Sequence, residues 1–478
     1  MESRHIFANI SPLDHRYSLS DTGLFARLSA ILSEDASIRY CIRVEVALLK
    51  ALASSAGQTR PGTALEALDS LEHAITTEEV YAEEARTRHN VRALVNVMKR
   101  HVTEQLRPLV HLGATSADIL DTAAALRYRD SIRSVVLPLL LDLEERLVRL
   151  ARDESDTPQI GRTHGQHAVP LTFGFAIAEY VSRLGKSIGR IREKAEDLRG
   201  KLSGAVGVYS ATSLLVKDPE ALEREFLGSL GLEPSEHSTQ LVEPEYLLAV
   251  LLELNTAFGI IANLADDLRQ LQRTEIGEVR EEFTDAQVGS STMPQKRNPW
   301  NSEHVKSLWK AFSPRVLTFF MDQISEHQRD LTNSASARFV AEYIAGFALA
   351  ADRMTDVVRS LTVDRRRMAE NLARQGDMIF AEPAYVLAAL GGEPDAHERL
   401  RKATLRAEKS GEPLAGVLRQ DPGLWEMLSR ELARTRGTDA GAFFSDPARY
   451  LGVAAERARA IADRYDARVA SLRKELGD

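Results

Sequence analysis

Cysteine is almost absent: Cys41 is the single one in 478 residues, so the chain can form neither an intrachain disulfide nor a Cys-x-x-Cys metal pair. That usage fits a reducing compartment, and the expected location is the cytosol. The start, Met1-Glu2-Ser3-Arg4-His5-Ile6-Phe7, has no basic segment followed by an apolar run, so no secretory signal is read there. An excess of one charge is lacking too. Sixty-one Lys plus Arg against 69 Asp plus Glu leave −8, which argues against a general nucleic-acid binder and leaves any anionic ligand to a local pocket. The most apolar stretch, residues 246–265, carries Glu253 and Asn255 and runs into Asp266 and Asp267. It reads as a buried helix and not as a membrane span.

Several chemical fingerprints are missing as well. There is no Gly-x-Gly-x-x-Gly after a strand, no His-Glu-x-x-His and no Gly-x-Ser-x-Gly, which argues against a nucleotide-cofactor oxidoreductase and a zincin. Gly185-Lys186-Ser187 looks like the end of a phosphate loop, but Tyr180 stands where its first glycine is needed. His164 and His167 are three apart without a third ligand at metal spacing, so no metal is expected.

What is present is helical periodicity. Leu247, Leu254, Ile261 and Leu268 recur every seven residues with Leu251, Phe258 and Ala265 between them, a stripe wide enough to face several neighbours. Residues 137–150 are densely apolar, with Pro138 in a first turn or at a kink. Further helices are read at 38–52, at 218–228 behind an Asp218-Pro219 start, and through much of 340–372. Period-two strands are scarce, so the chain reads as mainly α, built on long antiparallel helices. Breaks near 111 and 355 divide it into an N-terminal helical domain at 1–110, a central long-helix bundle at 111–355 and a C-terminal helical domain at 356–478. Arg365, Arg366 and Arg367 read as a solvated helix face.

Four polar stretches gather Gly, Ser, Thr, His and Arg where a packed bundle does not need them. The first is Thr87-Arg88-His89-Asn90. The second runs from His111 to Asp118, and its Thr115 and Ser116 either cap the next helix or bind a carboxylate. The third, residues 161–167, sets His164 and His167 between glycines. The fourth, residues 288–299, holds Gly289, Ser290, Ser291, Lys296, Arg297 and Asn298, and its Pro294 and Pro299 exclude helix. It is either a plain connector or a loop that closes on an anion, for which Lys296, Arg297 and Asn298 supply donors.

At these stretches the chain resembles the fumarase/aspartase superfamily, over roughly residues 10–345, and residues 289–299 look like its signature loop. Within it the sequence is most similar to the adenylosuccinate lyases. That similarity rests on Ser11-Pro12-Leu13-Asp14-His15-Arg16-Tyr17, on Thr87 to Val91, on Ser203-Gly204-Ala205-Val206-Gly207 and on Gln328-Arg329-Asp330-Leu331-Thr332. The resemblance implies a long central helical bundle flanked by two smaller helical domains. It also implies a homotetramer whose active sites take segments from three subunits, and a reaction that needs no cofactor. The implied reaction is β-elimination of fumarate from adenylosuccinate, giving AMP, and from the succinylated carboxamide nucleotide SAICAR, giving AICAR, in purine nucleotide biosynthesis.

The same resemblance assigns roles. His164 is the acid that protonates the leaving nitrogen, Ser290 is the base that takes the Cβ proton, Glu303 orients the histidine, and His89, flanked by Arg88 and Asn90, helps place the substrate. Thr115, Ser116, Ser291, Lys296 and Asn298 match the set that binds the doubly charged aci-carboxylate, and Gln240 matches a substrate-binding glutamine. Arg16 and Tyr17 match phosphate-holding residues, and Arg329, Ser334 and Arg338 match contacts to ribose and phosphate. Two positions depart from the adenylosuccinate lyase pattern: Asn90 replaces an aspartate, and Gln295 replaces a histidine, as in argininosuccinate lyases. These leave open a sister lyase or cycloisomerase on another carboxylate substrate, or a catalytically silent homologue.

Overall fold

The computed structural model describes residues 5–55, 65–283, 289–374 and 376–477. In the N-terminal part, helix α1 (Glu34–Ser55) buries Ile42, Leu48 and Leu49. It is followed by α2 (Thr77–Thr87) and α3 (Asn90–His101), which pack on each other. Thr76 and Glu79 close a capping box at the start of α2, with Glu79 N–H to Thr76 Oγ1 at 3.2 Å; each satisfies a donor that the first helical turn leaves open. Helix α4 (Ser116–Ser131) then leads through a π turn, Ile132–Val136, into α5 (Leu137–Asp153). Pro138 in the first turn of α5 has no N–H to donate, and the widened turn just before it absorbs that missing bond.

Five helices form a closed ring. Helix α5 packs on α6 (Phe173–Glu196), α6 on α7 (Glu245–Leu271), α7 on α8 (Trp300–Phe312), α8 on α9 (Val340–Arg359), and α9 returns to α5. The expected stripe explains the place of α7: Leu254, Ile261 and Leu268 are buried, together with Ala257, Phe258 and Ala265. By length and composition α7 could cross a membrane, but it is a core helix of this bundle. One continuous core joins the N-terminal helices to the ring. A second core, around Phe380, Leu418 and Phe444, fills the C-terminal part. The last helix, α10 (Ala454–Leu476), leaves that second core and lays Ala458, Ala462, Tyr465 and Val469 against α5 and α6.

Sequence periodicity suggested helix through much of 340–372, and the structure breaks it. Thr362–Val363 pairs antiparallel with Val279–Arg280, and Asp364 N–H donates to Glu278 O at 2.9 Å, before helix resumes at Arg365–Arg374. The start at Asp218 is as expected: its carboxylate accepts from Ala221 N–H at 2.9 Å, with Pro219 in the first turn.

Candidate active site

His164 stands at the tip of a hairpin. Strand β1 (Pro158–Thr163) pairs antiparallel with β2 (Gln166–Thr172), and Thr163 faces Gln166, so His164 and Gly165 alone make the turn. Both have positive φ, 55° and 73°, the pair of left-handed residues that a two-residue hairpin of this twist demands. Glycine accepts that conformation freely; histidine does so under strain, a strain typical of functional positions. The hairpin base is fixed by buried Glu278, which accepts from Arg162 at 2.6 and 3.1 Å, Gln159 at 2.7 Å and Asn371 at 2.9 Å. The imidazole itself is exposed at the end of this rigid support.

Asp118 takes part in the start of α4 at Thr115 and Ser116. One oxygen of Asp118 takes the Thr115 N–H at 2.7 Å, so the reach-back at the start of α4 comes from the carboxylate. The other oxygen is ion-paired with Lys201 and accepts from Ser203 N–H at 3.2 Å and Gly204 N–H at 3.3 Å. Asp118 and Lys201 are both fully buried. The Ser116 hydroxyl makes no hydrogen bond among the described residues and is available to a ligand. Gly207 of the Ser203 loop packs onto the Ser238 carbonyl so closely that any side chain there would collide with it. Next along the chain, Gln240 N–H donates to Gln328 O at 3.1 Å. Thr115, Ser116, Gln240 and Arg329 thus belong to one connected framework. Arg329, at φ 87°, donates to Gln323 O at 2.9 Å and Ser325 Oγ at 3.0 Å, and lines a cavity of about 150 Å³ with Tyr128, Leu241, Tyr246 and Asn333. Ser334 and Arg338 follow it, both exposed.

The loop at 289–299 folds on itself. Ser290 Oγ accepts from Met293 N–H at 3.1 Å and Thr292 N–H at 3.3 Å. Two backbone donors on one hydroxyl oxygen favour negative charge there, which is what a serine base requires. Gly289 lies against the Lys296 carbonyl with no room for a side chain, and Asn298 Nδ2 donates to Gly289 O at 2.9 Å. The three donors expected to meet an anion therefore divide their work. Asn298 clasps the loop, Arg297 lies over the Phe283 ring at 5.2 Å, and the Lys296 ammonium has no partner among the described residues. Ser291 is exposed beside it.

Arg88 closes α2 at φ 56°, and His89 caps α3, its Nδ1 accepting from Arg92 N–H at 3.2 Å. An accepting Nδ1 puts the proton of the neutral ring on Nε2, which makes the free side a donor. Asn90 Oδ1 takes the neighbouring Val91 N–H at 2.8 Å and does not touch His89. Arg16 and Tyr17 begin a short helix, Arg16–Ser20, and the Tyr17 hydroxyl lies 3.1 Å from Nε2 of His304, one residue beyond Glu303. Burial, with the charges of Arg353 and Arg16, holds the His304 pKa below the usual histidine range.

Within one chain, no hydrogen bond or ion pair among the described residues joins His164 to Glu303, to the Thr115 turn or to Ser290. Apart from Arg88–Asn90 at the junction of α2 and α3, the residues fall into a hairpin tip, a framework around Thr115, Gln240 and Arg329, and a third group of the 289–299 loop and the Tyr17 segment. Sequence reasoning passed over His111, which begins the second polar stretch. At φ 63°, its Nδ1 sits 2.6 Å from Glu45, a buried carboxylate on α1 whose second oxygen has no partner. Glu45 lies 66 positions away, and no local pattern marks such a pair.

Comparison with known proteins gives the family. Residues 20–310 match the family model described as lyase, and residues 325–437 match that of the adenylosuccinate lyase C-terminal region. The adenylosuccinate lyase of Archaeoglobus fulgidus is 32% identical over 95% of this chain and 98% of its own length. That of Pyrococcus abyssi is 33% identical over 88% and 92%. Among solved structures, a fumarate lyase from Mesorhizobium sp. BNC1 superposes with TM-score 0.78 at 25% identity, covering 92% of this chain and 97% of that one. The 3-carboxy-cis,cis-muconate lactonizing enzyme from Pseudomonas putida gives 0.76 at 25%, covering 93% and 97%. The chain belongs to the adenylosuccinate lyase family, within the fumarase/aspartase superfamily of lyases.

Proposed function

We propose that this lyase eliminates fumarate from adenylosuccinate to give AMP, and from SAICAR to give AICAR. Ser290 takes the proton from the succinyl Cβ, and the negative charge moves onto the adjacent carboxylate as an aci-carboxylate. The Cα–N bond then breaks, the carbon–carbon double bond forms, and His164 delivers a proton to the departing nitrogen. Lys296 and the Ser116 hydroxyl, each without a partner among the described residues, supply donors to the carboxylates. The observation that carries this reading is the Ser290 oxygen held under two backbone N–H groups. The test is fumarate release from adenylosuccinate by wild type and by Ser290→Ala; release by both at equal rates would remove Ser290 from the chemistry.

We further infer a homotetramer in which the three groups come together from different subunits. Two features support it. No hydrogen bond or ion pair joins His164 to Glu303 among the described residues, and the helix Val316–Met321 and the loop after it expose Leu317, Phe320, Met321, Ile324 at 82% and Leu331 at 76%, an apolar surface that a lone chain leaves in water. The cytosol is the proposed location, in keeping with one buried, unpaired cysteine.

A further inference from the structure

Arg353 lies on α9 and belongs to none of the segments assigned above. Its guanidinium donates to Asn301 Oδ1 at 2.8 Å and lies over the Trp300 ring at 5.2 Å. No carboxylate is within ion-pair distance of it among the described residues, whereas the comparably buried Arg162 and Arg315 are paired with Glu278 and Glu342. Burial pulls its pKa down, and the more distant charges of Tyr17, Asp356, Asp352 and Glu281 only partly oppose this. Arg353 and Arg16 act on the same group, His304, which the Tyr17 hydroxyl also touches. Two guanidiniums, a phenol and an imidazole, drawn from three separate elements, thus lie around one spot, and neither guanidinium has an ion-pair partner among the described residues. A half-buried cation without a partner costs stability unless a ligand supplies the opposite charge.

We propose that Arg353 is a substrate-binding residue, the second guanidinium, with Arg16, of a recess that takes the phosphate dianion of the nucleotide. This rests on the nucleotide reading above. A phosphate monoester carries close to two negative charges and three acceptor oxygens, which suits two guanidiniums and a hydroxyl. The succinyl carboxylates are met elsewhere, by the Ser290 loop and the Thr115 turn.

The experiment compares Arg353→Met with wild type on adenylosuccinate and on its dephosphorylated nucleoside. The expected result is a KM for the nucleotide raised about tenfold or more, kcat within about twofold and the nucleoside parameters unchanged, with Arg353→Lys in between. Equal losses on both substrates, or no change on either, would overturn the assignment. A second arm needs no turnover: inorganic phosphate is titrated while tryptophan emission is followed, with Trp300→Phe identifying the reporter. A Trp300 signal that weakens at least about tenfold in phosphate affinity in Arg353→Met supports the recess even if adenylosuccinate proves not to be a substrate. An unchanged affinity in the variant, or no phosphate response in wild type, contradicts it.

Discussion

The Oγ of Ser290 lies 3.1 Å from the amide nitrogen of Met293. That contact depends on the chain doubling back at Gly289, where a side chain would strike the Lys296 carbonyl. Gly289→Ala is therefore expected to lower kcat nearly as far as Ser290→Ala while leaving the melting temperature within about 2 °C, because the loop is exposed and outside both cores. Steady-state kinetics beside a thermal melt checks this. A Gly289→Ala enzyme with normal kcat would show that loop geometry does not activate Ser290.

His164 is presented on a hairpin whose base is anchored at Glu278. His164→Ala removes the acid without touching the anchor, and turnover should fall by roughly 10² to 10⁴ with little change in stability. Rapid-quench measurement of the bond-cleavage step reads it directly, and near-normal turnover would remove His164 from the mechanism.

No hydrogen bond joins His164 to Ser290 among the described residues. In a tetramer that builds each site from several subunits, a refolded mixture of His164→Ala and Ser290→Ala chains restores both groups to about one quarter of the sites. Activity should return towards that fraction of wild type. A mixture as inactive as its components would mean that each site is made by one chain.

Lys201 and Asp118 form a fully buried ion pair beneath the Thr115 turn. Lys201→Met strands the carboxylate, at a cost of about 3–5 kcal/mol. Asp118→Asn with Lys201→Met should recover part of that in urea denaturation, because neither charge is then left alone. A double variant as unstable as the single one would mean that shape, and not charge, dominates there.

Asp352 gives a signed pH effect. Burial first, then Asp21 and Asp356, with Arg27 only partly opposing, push its carboxyl up to about 7. A raised carboxyl is tolerated while protonated, and its stability contribution is lost as pH rises through the folded value. Between about pH 5 and about pH 8 the wild-type melting temperature should therefore fall more than that of Asp352→Asn. Parallel curves would show that the group does not titrate in this range. Glu144 acts in the same direction: it is buried on α5 with both oxygens unpartnered and its pKa well above the usual range.

Much of this fold is legible in the sequence because its signals are local. The 3.6-residue stripe from Leu247 to Leu268 specifies a core helix, and Gly289 with Pro294 and Pro299 rules helix out of residues 289–299. What stays hidden is long-range or conformational. Histidine is not the residue that marks a two-residue hairpin turn, so β1 and β2 are invisible until their φ values are seen. The break at Thr362–Val363 depends on pairing with Val279–Arg280, and the contact of Tyr17 with His304 spans 287 positions. Lys201 holds Asp118, the carboxylate that reaches back to Thr115, from 83 positions away.

The most direct test mixes purified protein with adenylosuccinate and follows fumarate by a coupled assay. The account predicts steady release by wild type and a loss of roughly 10² or more in Ser290→Ala. A folded wild-type protein that releases no fumarate, or a Ser290→Ala variant that releases it as fast, would contradict the central claim.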